Sequence, residues 1–283
     1  DYRRMKSLLI MAGGASSRMK RSLSQSNLSQ DEKNLAGKVH KSLIPLGKEK
    51  KPLLFYLISN AVSVGVTDIY LITSSENEAF QKLVGTLKIN NSFAGAKVHF
   101  AIQYLKKGYI KPLGTADAVE QTLVQYPELI EQTFIICNGD NLYSKAAFKN
   151  LLKPRQVTNA LISYARSGLR FKDERIEKFA VIEVDSLGYL KKIIEKPDPK
   201  TVEKYRDTSG EIRVSMNIFS FNGKQLNPYL KNCPIHPERN EKELPEAIRL
   251  LNVKEPNQIM CFGMKEHILD LTSAEDIGSF DVL

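Results

Sequence analysis

Two glycines and an arginine follow the first apolar run of the chain. The segment Gly13-Gly14-Ala15-Ser16-Ser17-Arg18 comes directly after Leu8–Met11. Glycines permit positive φ, so successive N–H groups can turn toward phosphate oxygens, and Arg18 adds a planar donor with several N–H groups. The spacing matches neither G-x-G-x-x-G nor G-x-x-x-x-G-K-[ST], which disfavours a Rossmann dinucleotide site and a P-loop. On these residues alone, a phosphate-binding turn and an ordinary tight turn have equal weight.

A carboxylate follows another buried run. Asp140 comes after Phe134–Cys137 and Gly139. A carboxylate at the end of a strand, beside a phosphate loop, is well placed to hold Mg²⁺, which commonly takes one or two protein carboxylates together with substrate phosphates and water. A turn-forming aspartate after a glycine is the alternative.

Two further carboxylates stand where predicted elements end or begin. Glu195 and Lys196 precede Pro197, which stops regular strand pairing and leaves a carboxylate and an ammonium at a strand terminus. A surface ion pair is the default explanation for them. Asp270 is either a helix-entry residue or a second metal ligand, and its spacing alone does not decide between these.

Cysteine and histidine spacing predicts no soft-metal site. The three cysteines cannot all pair, none has the C-x-x-C spacing, and the four histidines are scattered, so neither a disulfide framework nor a zinc site is suggested. These residues are Cys137, Cys233, Cys261, His40, His99, His236 and His267. Any metal should therefore be a hard cation held by carboxylates.

The charge distribution suits a small polyphosphate. The formal net charge is +9, and residues 1–51 hold twelve Lys or Arg against four Asp or Glu, whereas the remainder holds 29 against 28. Such a local excess fits a polyphosphate as well as a nucleic acid, and a solvated basic arm has comparable weight. Because no basic and aromatic module is visible, nucleic acid is the least favoured partner.

The sequence predicts no membrane segment. No apolar run approaches the roughly 20 residues that a helix needs to cross a bilayer. The opening residues Asp1-Tyr2-Arg3-Arg4-Met5-Lys6 lead straight into Leu8–Met11, which has neither the length nor the small-residue cleavage pattern of a signal peptide. We therefore expect a cytoplasmic protein that does not bind membranes.

Apolar runs and helical patterns alternate through the first half of the chain. Strands are predicted over 6–12, 68–73, 97–105 and 133–138, and helices over 51–65, 76–87 and 115–126. This alternation implies right-handed crossovers and a mainly parallel sheet with helices on both faces. The second half predicts strands over 159–165, 178–184, 190–194 and 214–221, a hairpin turn at 185–188, and helices over 224–231, 243–251 and 273–280. We expect one continuous α/β domain with a mixed sheet.

Three polar segments should share one edge of that sheet. They are Gly13–Arg18, Gln103 and Asn138–Asp140, each at the carboxyl end of a predicted strand. Open parallel sheets bind ligands at this edge, which favours one common site. The intervening stretch 20–39 is rich in Ser, Gln, Asn and Lys and lacks a strong pattern, so we expect a flexible insertion over 20–40.

In their order along the chain, these segments resemble the sugar-1-phosphate nucleotidylyltransferases. That family opens with G-G-x-G-[ST]-R-[LM], followed by P-K and a short apolar run, which is similar to Ala12–Met19 and Lys41–Leu46. The further matches are Lys51-Pro52-Leu53, Gln103 ahead of Leu113–Ala118, Gly139-Asp140, Glu195-Lys196-Pro197, Ser215-Met216-Asn217, and Asp270 in the stretch that closes at Asp276. Each match is weak alone, but their ordered occurrence from Met5 to Asp276 is strong.

The resemblance implies a fold and a reaction. The fold is α/β, a single glycosyltransferase-A-like nucleotide-binding domain whose mixed, mainly parallel central sheet is flanked by helices. A C-terminal β-helix domain and its acyl transfer are not expected, because seven residues follow Asp276. The implied reaction is NTP + sugar 1-phosphate ⇌ NDP-sugar + pyrophosphate, with Mg²⁺ as cofactor. Relatives often form dimers or tetramers, and the oligomeric state is left open.

The resemblance also implies a role for each site residue. Catalysis is assigned to Arg18 on the departing phosphates, Lys41 between the α-phosphate and the attacking phosphate, and Asp140. Nucleotide binding is assigned to Ala12, Gly13, Gly14, Ala15, Ser16, Ser17, Gln103 at the base edge, Gly114 and Thr115. The sugar phosphate is assigned to Glu195, Lys196 and Asn217, and the metal to Asp140 and Asp270.

The sequence departs from the family pattern at several positions. Ser16 stands where the family usually has glycine, and its side chain restricts positive φ. His40 stands where proline is usual, and the stretch 20–39 is longer than the usual connection. Asp270 lacks the preceding Trp and following Gly of relatives.

Two other functions remain as alternatives. A non-catalytic regulator that binds a sugar nucleotide is favoured by Ser16 and the insertion, and disfavoured by the retention of Arg18, Lys41 and the two aspartates. A glycosyltransferase would need an Asp-x-Asp motif, which Asp140-Asn141-Leu142 does not supply. The segments around Leu113–Ala118 and Ser215 are most similar to branches that use glucose 1-phosphate, and the NTP stays open.

Overall fold

The computed structural model describes residues 6–283. Residues 1–5, on which part of the expectation about the amino terminus rests, lie outside the described residues. The strands are β1 Ser7–Met11, β2 Pro45–Leu46, β3 Lys51–Pro52, β4 Asp68–Thr73, β5 Asn91–Phe93, β6 Ala96–Ile102, β7 Thr133–Asn138, β8 Asn141–Leu142, β9 Asn159–Ala165, β10 Val181–Val184, β11 Leu190–Ile194, β12 Arg213–Val214, β13 Ile218–Asn222, β14 Ile259–Met264 and β15 Leu269–Asp270.

The helices alternate with these strands. The α-helices are α1 Ser17–Ser22, α2 Gln30–Lys38, α3 Leu53–Val62, α4 Glu78–Val84, α5 Thr115–Gln125, α6 Lys145–Leu152, α7 Asp173–Ile176, α8 Gly223–Lys231 and α9 Leu244–Lys254. Short 3₁₀ helices span Leu23–Gln25, Lys41–Leu43, Pro127–Glu131, Arg166–Gly168, Pro199–Tyr205 and Ala274–Val282. The last of these was predicted over 273–280.

The described chain folds into two compact units. The first unit comprises residues 6–104, 138–148 and 268–283, and the second comprises 105–137 and 149–267. The predicted α/β class, with a mixed sheet flanked by helices, is confirmed, and the number of domains stays a prediction.

Parallel strands form the centre of the first unit. Strand β4 pairs in parallel with β1 and with β6, and β5 closes the edge in antiparallel pairing with β6. Most residues of β1, β4 and β6 are buried, which explains why these strands are mainly apolar; Lys97 of β6 is the exposed exception. The predicted carboxyl edge, where β1 and β6 end beside Gly13 and Gln103, therefore exists.

The stretch predicted as an unpatterned insertion contains a helix. Helix α2 begins at a capping box, in which the Ser29 hydroxyl accepts the Glu32 N–H and the Glu32 carboxylate accepts the Ser29 N–H. The Ser-x-x-Glu spacing is the sequence signal that would have predicted it. Ala36 of this helix packs in a buried cluster with Met19 and Leu23. The segment therefore contains a helix that the sequence analysis did not assign, and its flexibility stays a prediction.

Antiparallel pairing dominates the second unit. Strand β13 pairs with β7 and β9, β12 joins β9 to β10, and β14 runs parallel to β9. The predicted hairpin between β10 and β11 is confirmed: Asp185 N–H donates to Tyr189 O at 2.9 Å, and Gly188 has φ 89°. The strand predicted over 214–221 is instead divided into β12 and β13, because Asn217 adopts φ 55°, which interrupts extended backbone.

Candidate functional site

Gly13 allows a buried amide to approach the glycine loop. A Cβ atom at Gly13 would lie 3.3 Å from Oε1 of Gln103, tighter than an ordinary contact. Gln103 is only 6% exposed, and its N–H donates to Thr73 O at 2.8 Å at the end of the parallel strands. The first unit therefore brings the predicted base-reading side chain directly beside the predicted phosphate loop.

Gly139 brings the next carboxylate to the same edge. Its N–H donates to Met11 O at 2.9 Å, and a Cβ atom there would lie 3.0 Å from that oxygen and 3.3 Å from the Ala12 Cβ. A side chain here would force its neighbours to move by a few tenths of an ångström, which favours glycine before Asp140. The backbone of Asp140 is consequently adjacent to the start of the glycine loop.

Lys41 contacts Asp140 across 99 residues of sequence. The ammonium Nζ donates to Oδ2 of the carboxylate, and the side chains are only 14% and 19% exposed. Charge-assisted hydrogen bonds of this kind are the strong ones. The structure thus brings two of the three predicted catalytic residues into direct contact. The third, Arg18, lies on α1 with an exposed side chain.

Asp270 lies on β15, and Asp140 directly precedes β8, the strand that pairs with β15. Strand β15 pairs with β8 so that Asp270 is opposite Asn141, and Leu271 N–H donates to the backbone oxygen of Asp140 at 2.8 Å. Oδ1 of Asp270 accepts a hydrogen bond from Oγ1 of Thr272 at 2.6 Å. Residues 6–283 contain no cluster of three or more His, Cys, Asp or Glu side chains arranged to hold a metal.

This donor set fits Mg²⁺ and does not fit a transition metal. Two aspartates supply hard oxygen ligands, and Mg²⁺ typically completes its shell with substrate phosphates and water instead of a full protein cage. Soft or borderline metals favour the thiolate and imidazole ligands that the site lacks. Asp140 and Asp270 are therefore suited to a cation that arrives with a polyphosphate.

In the second unit, backbone packing requires a glycine at position 114. Its φ is 103°, and a Cβ atom would lie 2.5 Å from the Lys242 backbone oxygen. Around it, Lys242 N–H donates to Leu113 O at 2.6 Å, and Leu244 N–H donates to the Thr115 hydroxyl at 2.8 Å. Close backbone approach accounts for the glycine without any ligand, and the nucleotide role of Gly114 and Thr115 stays a prediction.

A pocket of about 610 Å³ opens beside the predicted sugar-phosphate residues. Ile193, Glu195 and Lys196 line it, and its other walls come from residues within 234–249. Partial desolvation of the Glu195 carboxyl by surrounding protein raises its pKa, and the negative charge of Glu243 adds to this effect. Arg239 forms an ion pair with Glu243 at the same wall. The sequence reading missed Arg239 and Glu243, since no motif marks them.

Asn217 is the remaining predicted sugar ligand, and it also belongs to the second unit. Its positive φ is accompanied by a hydrogen bond from its N–H to the Ser215 hydroxyl at 3.1 Å. A left-handed asparagine is tolerated better than most residues. The Ser-Met-Asn motif therefore forms a turn between β12 and β13 instead of the middle of one strand.

A family comparison identifies the chain. The model of the family described as nucleotidyl transferase matches residues 8–283. The chain belongs to the nucleotidyl transferase family. The family assignment drawn from the ordered motifs is therefore confirmed.

Two curated relatives share part of this nucleotidyl transferase chain. The glucose-1-phosphate thymidylyltransferase of Neisseria gonorrhoeae is 30% identical over 166 residues, which cover 58% of the chain and 51% of the relative. The glucose-1-phosphate adenylyltransferase of Koribacter versatilis is 23% identical over 208 residues, covering 69% and 49%. The chain thus spans about half the length of the curated relatives it matches.

The fold is also shared with a solved structure. The crystal structure of a UDP-glucose pyrophosphorylase complexed with UDP-glucose has a TM-score of 0.68 at 16% identity, covering 98% of the chain and 97% of that structure. This similarity establishes the nucleotidyl transferase fold. Within residues 6–283, every helix is too short or too polar to span a bilayer.

The departure at His40 is explained by local packing. Its ring Nδ1 accepts the Ser42 N–H at 3.2 Å and so caps the 3₁₀ turn that carries Lys41. Burial lowers the pKa of His40 to about 4, and the positive charge of Lys41 acts in the same direction. The imidazole is therefore neutral at pH 7, and its ring nitrogen can accept the hydrogen bond that caps the turn.

Proposed function

We propose that this nucleotidyl transferase moves a nucleoside monophosphate from an NTP to a sugar 1-phosphate and releases pyrophosphate. The observation that carries the proposal is the contact of Lys41 with Asp140 beside the glycine loop. It places a cation and a carboxylate, both mostly buried, next to backbone N–H groups suited to phosphate. The names of the two curated relatives support glucose 1-phosphate as the sugar substrate.

The reaction requires neutralisation of negative charge and no general base. A phosphate oxygen of the sugar phosphate, already an anion, attacks the α-phosphorus of the NTP. The bond from the α-phosphorus to the bridging oxygen breaks, and pyrophosphate leaves with the electron pair. The protein must bring two anions together in line and neutralise charge in the transition state, which is positioning and electrostatic work.

The first unit supplies the groups for that work. Backbone N–H groups of Gly13–Ser17 receive the triphosphate, and Arg18, exposed at the start of α1, closes on the departing phosphates. Lys41 leaves Asp140 and binds the α-phosphate and the attacking phosphate, where its positive charge stabilises the transition state. Gln103 reads the base edge through its paired donor and acceptor.

Asp140 and Asp270 would hold Mg²⁺. When bound, the cation supplies Lewis-acid stabilisation of phosphate charge. Asp140 is the carboxylate that contacts Lys41 and that would also serve as a ligand of the cation.

The second unit supplies the sugar contacts. Glu195 accepts hydrogen bonds from sugar hydroxyls, Lys196 forms an ion pair with the sugar phosphate, and Asn217 binds another hydroxyl. The pocket beside Glu195 and Lys196, about 610 Å³, falls in the size range of small-molecule sites. Gly114 and Thr115 are assigned to the nucleotide. We also propose that the protein is cytoplasmic and binds neither nucleic acid nor membranes.

One screen tests the function. The protein is incubated with Mg²⁺, each of ATP, CTP, GTP, UTP and dTTP, and glucose 1-phosphate, mannose 1-phosphate or galactose 1-phosphate, and pyrophosphate release is measured. Turnover with at least one pair, abolished in Asp140→Ala, supports the enzyme. Binding of an NDP-sugar in calorimetry without turnover of any pair would establish the non-catalytic regulator instead.

A further inference from the structure

The side chain of Ser16 occupies an unusual place in the glycine loop. Ser16 has φ 54° and ψ 29° in the left-handed region, and it is only 7% exposed. Residues other than Gly, Asn and Asp are disfavoured there, because Cβ crowds the following carbonyl oxygen. A glycine, which the family pattern usually has at this position, would adopt the same backbone without strain. The serine must therefore supply an interaction that glycine cannot.

That interaction reaches the segment of Lys41. The Ser16 hydroxyl oxygen accepts the backbone N–H of Lys41 at 3.1 Å, across 25 residues of sequence. The neighbouring N–H, that of Ser42, is taken by the His40 ring, so the two ends of this short turn have separate acceptors. The Lys41 backbone is thus anchored to the loop by the Ser16 side chain, and its ammonium end is anchored to Asp140.

We propose that Ser16 is a positioning residue that holds Lys41 at a fixed distance from the phosphate-binding loop. The inference rests on the proposed function, since it takes the loop to bind triphosphate and Lys41 to act on the α-phosphate. One hydrogen bond then couples the two groups whose separation must match the NTP. Rate depends steeply on such placement, and a displacement of about 1 Å can reduce rate about a hundredfold.

Two substitutions separate this role from a merely structural one. Ser16→Ala removes the acceptor and keeps Cβ at positive φ, whereas Ser16→Gly removes the acceptor and relieves the strain. Both should lower kcat about ten- to a hundredfold, while KM for the NTP changes less than about threefold, because the loop N–H groups remain. Ser16→Gly should be at least as stable to urea as the parent. A Ser16→Gly variant with undiminished kcat would overturn the proposal.

Ser22→Ala is the matched control. The Ser22 hydroxyl accepts the Ala274 N–H at 2.9 Å in the same unit, so its loss removes a hydrogen bond of the same kind without touching Lys41. The control should lose stability and keep the parental kcat. A fall in kcat equal to that of Ser16→Ala would show that any lost serine bond in this unit has the same effect, which refutes a specific role for Ser16.

Hydrogen exchange of the Lys41 amide tests the bond without turnover. Exchange should accelerate about fivefold or more in Ser16→Ala and Ser16→Gly and not in Ser22→Ala, as measured by mass spectrometry with single-residue fragmentation. Acylation of Lys41 Nζ by acetic anhydride should accelerate in the same two variants as the side chain leaves Asp140. Unchanged exchange and acylation would overturn the proposal. If the parent protein turns over no substrate pair, the proposed function fails, while these two rates still decide whether Ser16 holds Lys41.

Discussion

Replacing Lys41 by methionine tests the proposed chemistry most directly, because it removes the charge and keeps much of the apolar stem. The variant leaves the Asp140 carboxylate, 19% exposed, without the cation that pairs with it. Loss of one partner from a mostly buried polar pair costs about 1–3 kcal/mol. A charged group aimed at the transition state lowers the activation barrier by about 3–4 kcal/mol. Its removal should therefore reduce kcat about a hundred- to a thousandfold.

The assay combines pyrophosphate release with urea unfolding. KM for the NTP should change less than about fivefold, since the loop backbone is untouched. Mg²⁺ alone should raise the unfolding midpoint of Lys41→Met more than that of the parent, because no ammonium competes for Asp140. Lys38→Met, at an exposed position on α2, is the control. It should match the parent in kcat, in KM, in the unfolding midpoint and in the shift of that midpoint with Mg²⁺.

The kinetic constants and the unfolding midpoint test different parts of the proposed role of Lys41. A kcat within threefold of the parent would remove Lys41 from the transition state, and a change in KM alone would make it only a binding residue. An unfolding midpoint equal to that of the parent would show that its contact with Asp140 contributes nothing to stability.

Three further substitutions test other parts of the structure. Gly114→Ala should lose at least about 2 kcal/mol in urea unfolding, because Cβ meets the Lys242 oxygen at 2.5 Å and φ is positive. His40→Gln should flatten the dependence of stability on pH between about 4 and 6.5. The folded-state pKa of His40 is lowered to about 4, so the unfolded chain binds more protons in this range and the parent gains up to about 3 kcal/mol as pH rises through it. Glu195→Ala should raise KM for the sugar phosphate about tenfold or more and leave KM for the NTP unchanged.

Each of these has its own control and contrary result. Gly210, with φ 81° and open space around it, isolates the backbone cost, so Gly210→Ala should lose only about 1 kcal/mol. Equal losses at the two glycines would show that the Lys242 contact is unimportant. A pH slope preserved in His40→Gln would place the titrating group elsewhere. A Glu195→Ala variant with an unaltered sugar-phosphate KM would remove Glu195 from the sugar site.

Four strands were predictable residue by residue. The predicted strands 68–73, 133–138, 159–165 and 190–194 coincide with β4, β7, β9 and β11. Burial of β4, β7 and β9 demands mainly apolar sequence, which is a local property and visible without coordinates, whereas β11 carries two exposed lysines and follows a hairpin turn. The division of 214–221 was not predictable, because it depends on one residue, Asn217, entering the left-handed region.

The site was predictable as a set of residues and not as a set of contacts. Glycines 13 and 139 mark places where the backbone must come close, and a motif shows this from sequence. Nothing local indicates that Ser16 turns its hydroxyl to Lys41, or that residues 234–249 line the pocket beside Glu195. These contacts join segments whose distance depends on how the intervening elements pack.

The amino-acid sequence by itself determined the class of fold, the family and the residue types that can handle phosphate and a hard cation. The order of apolar runs, glycines and charges carries that information along the chain. Only the tertiary structure decided that Lys41 pairs with Asp140, that the Ser16 hydroxyl accepts the Lys41 N–H, and that His40 is neutral. Such outcomes depend on burial and on distances of a few ångströms between residues far apart in sequence, and these are fixed only when the whole unit is packed.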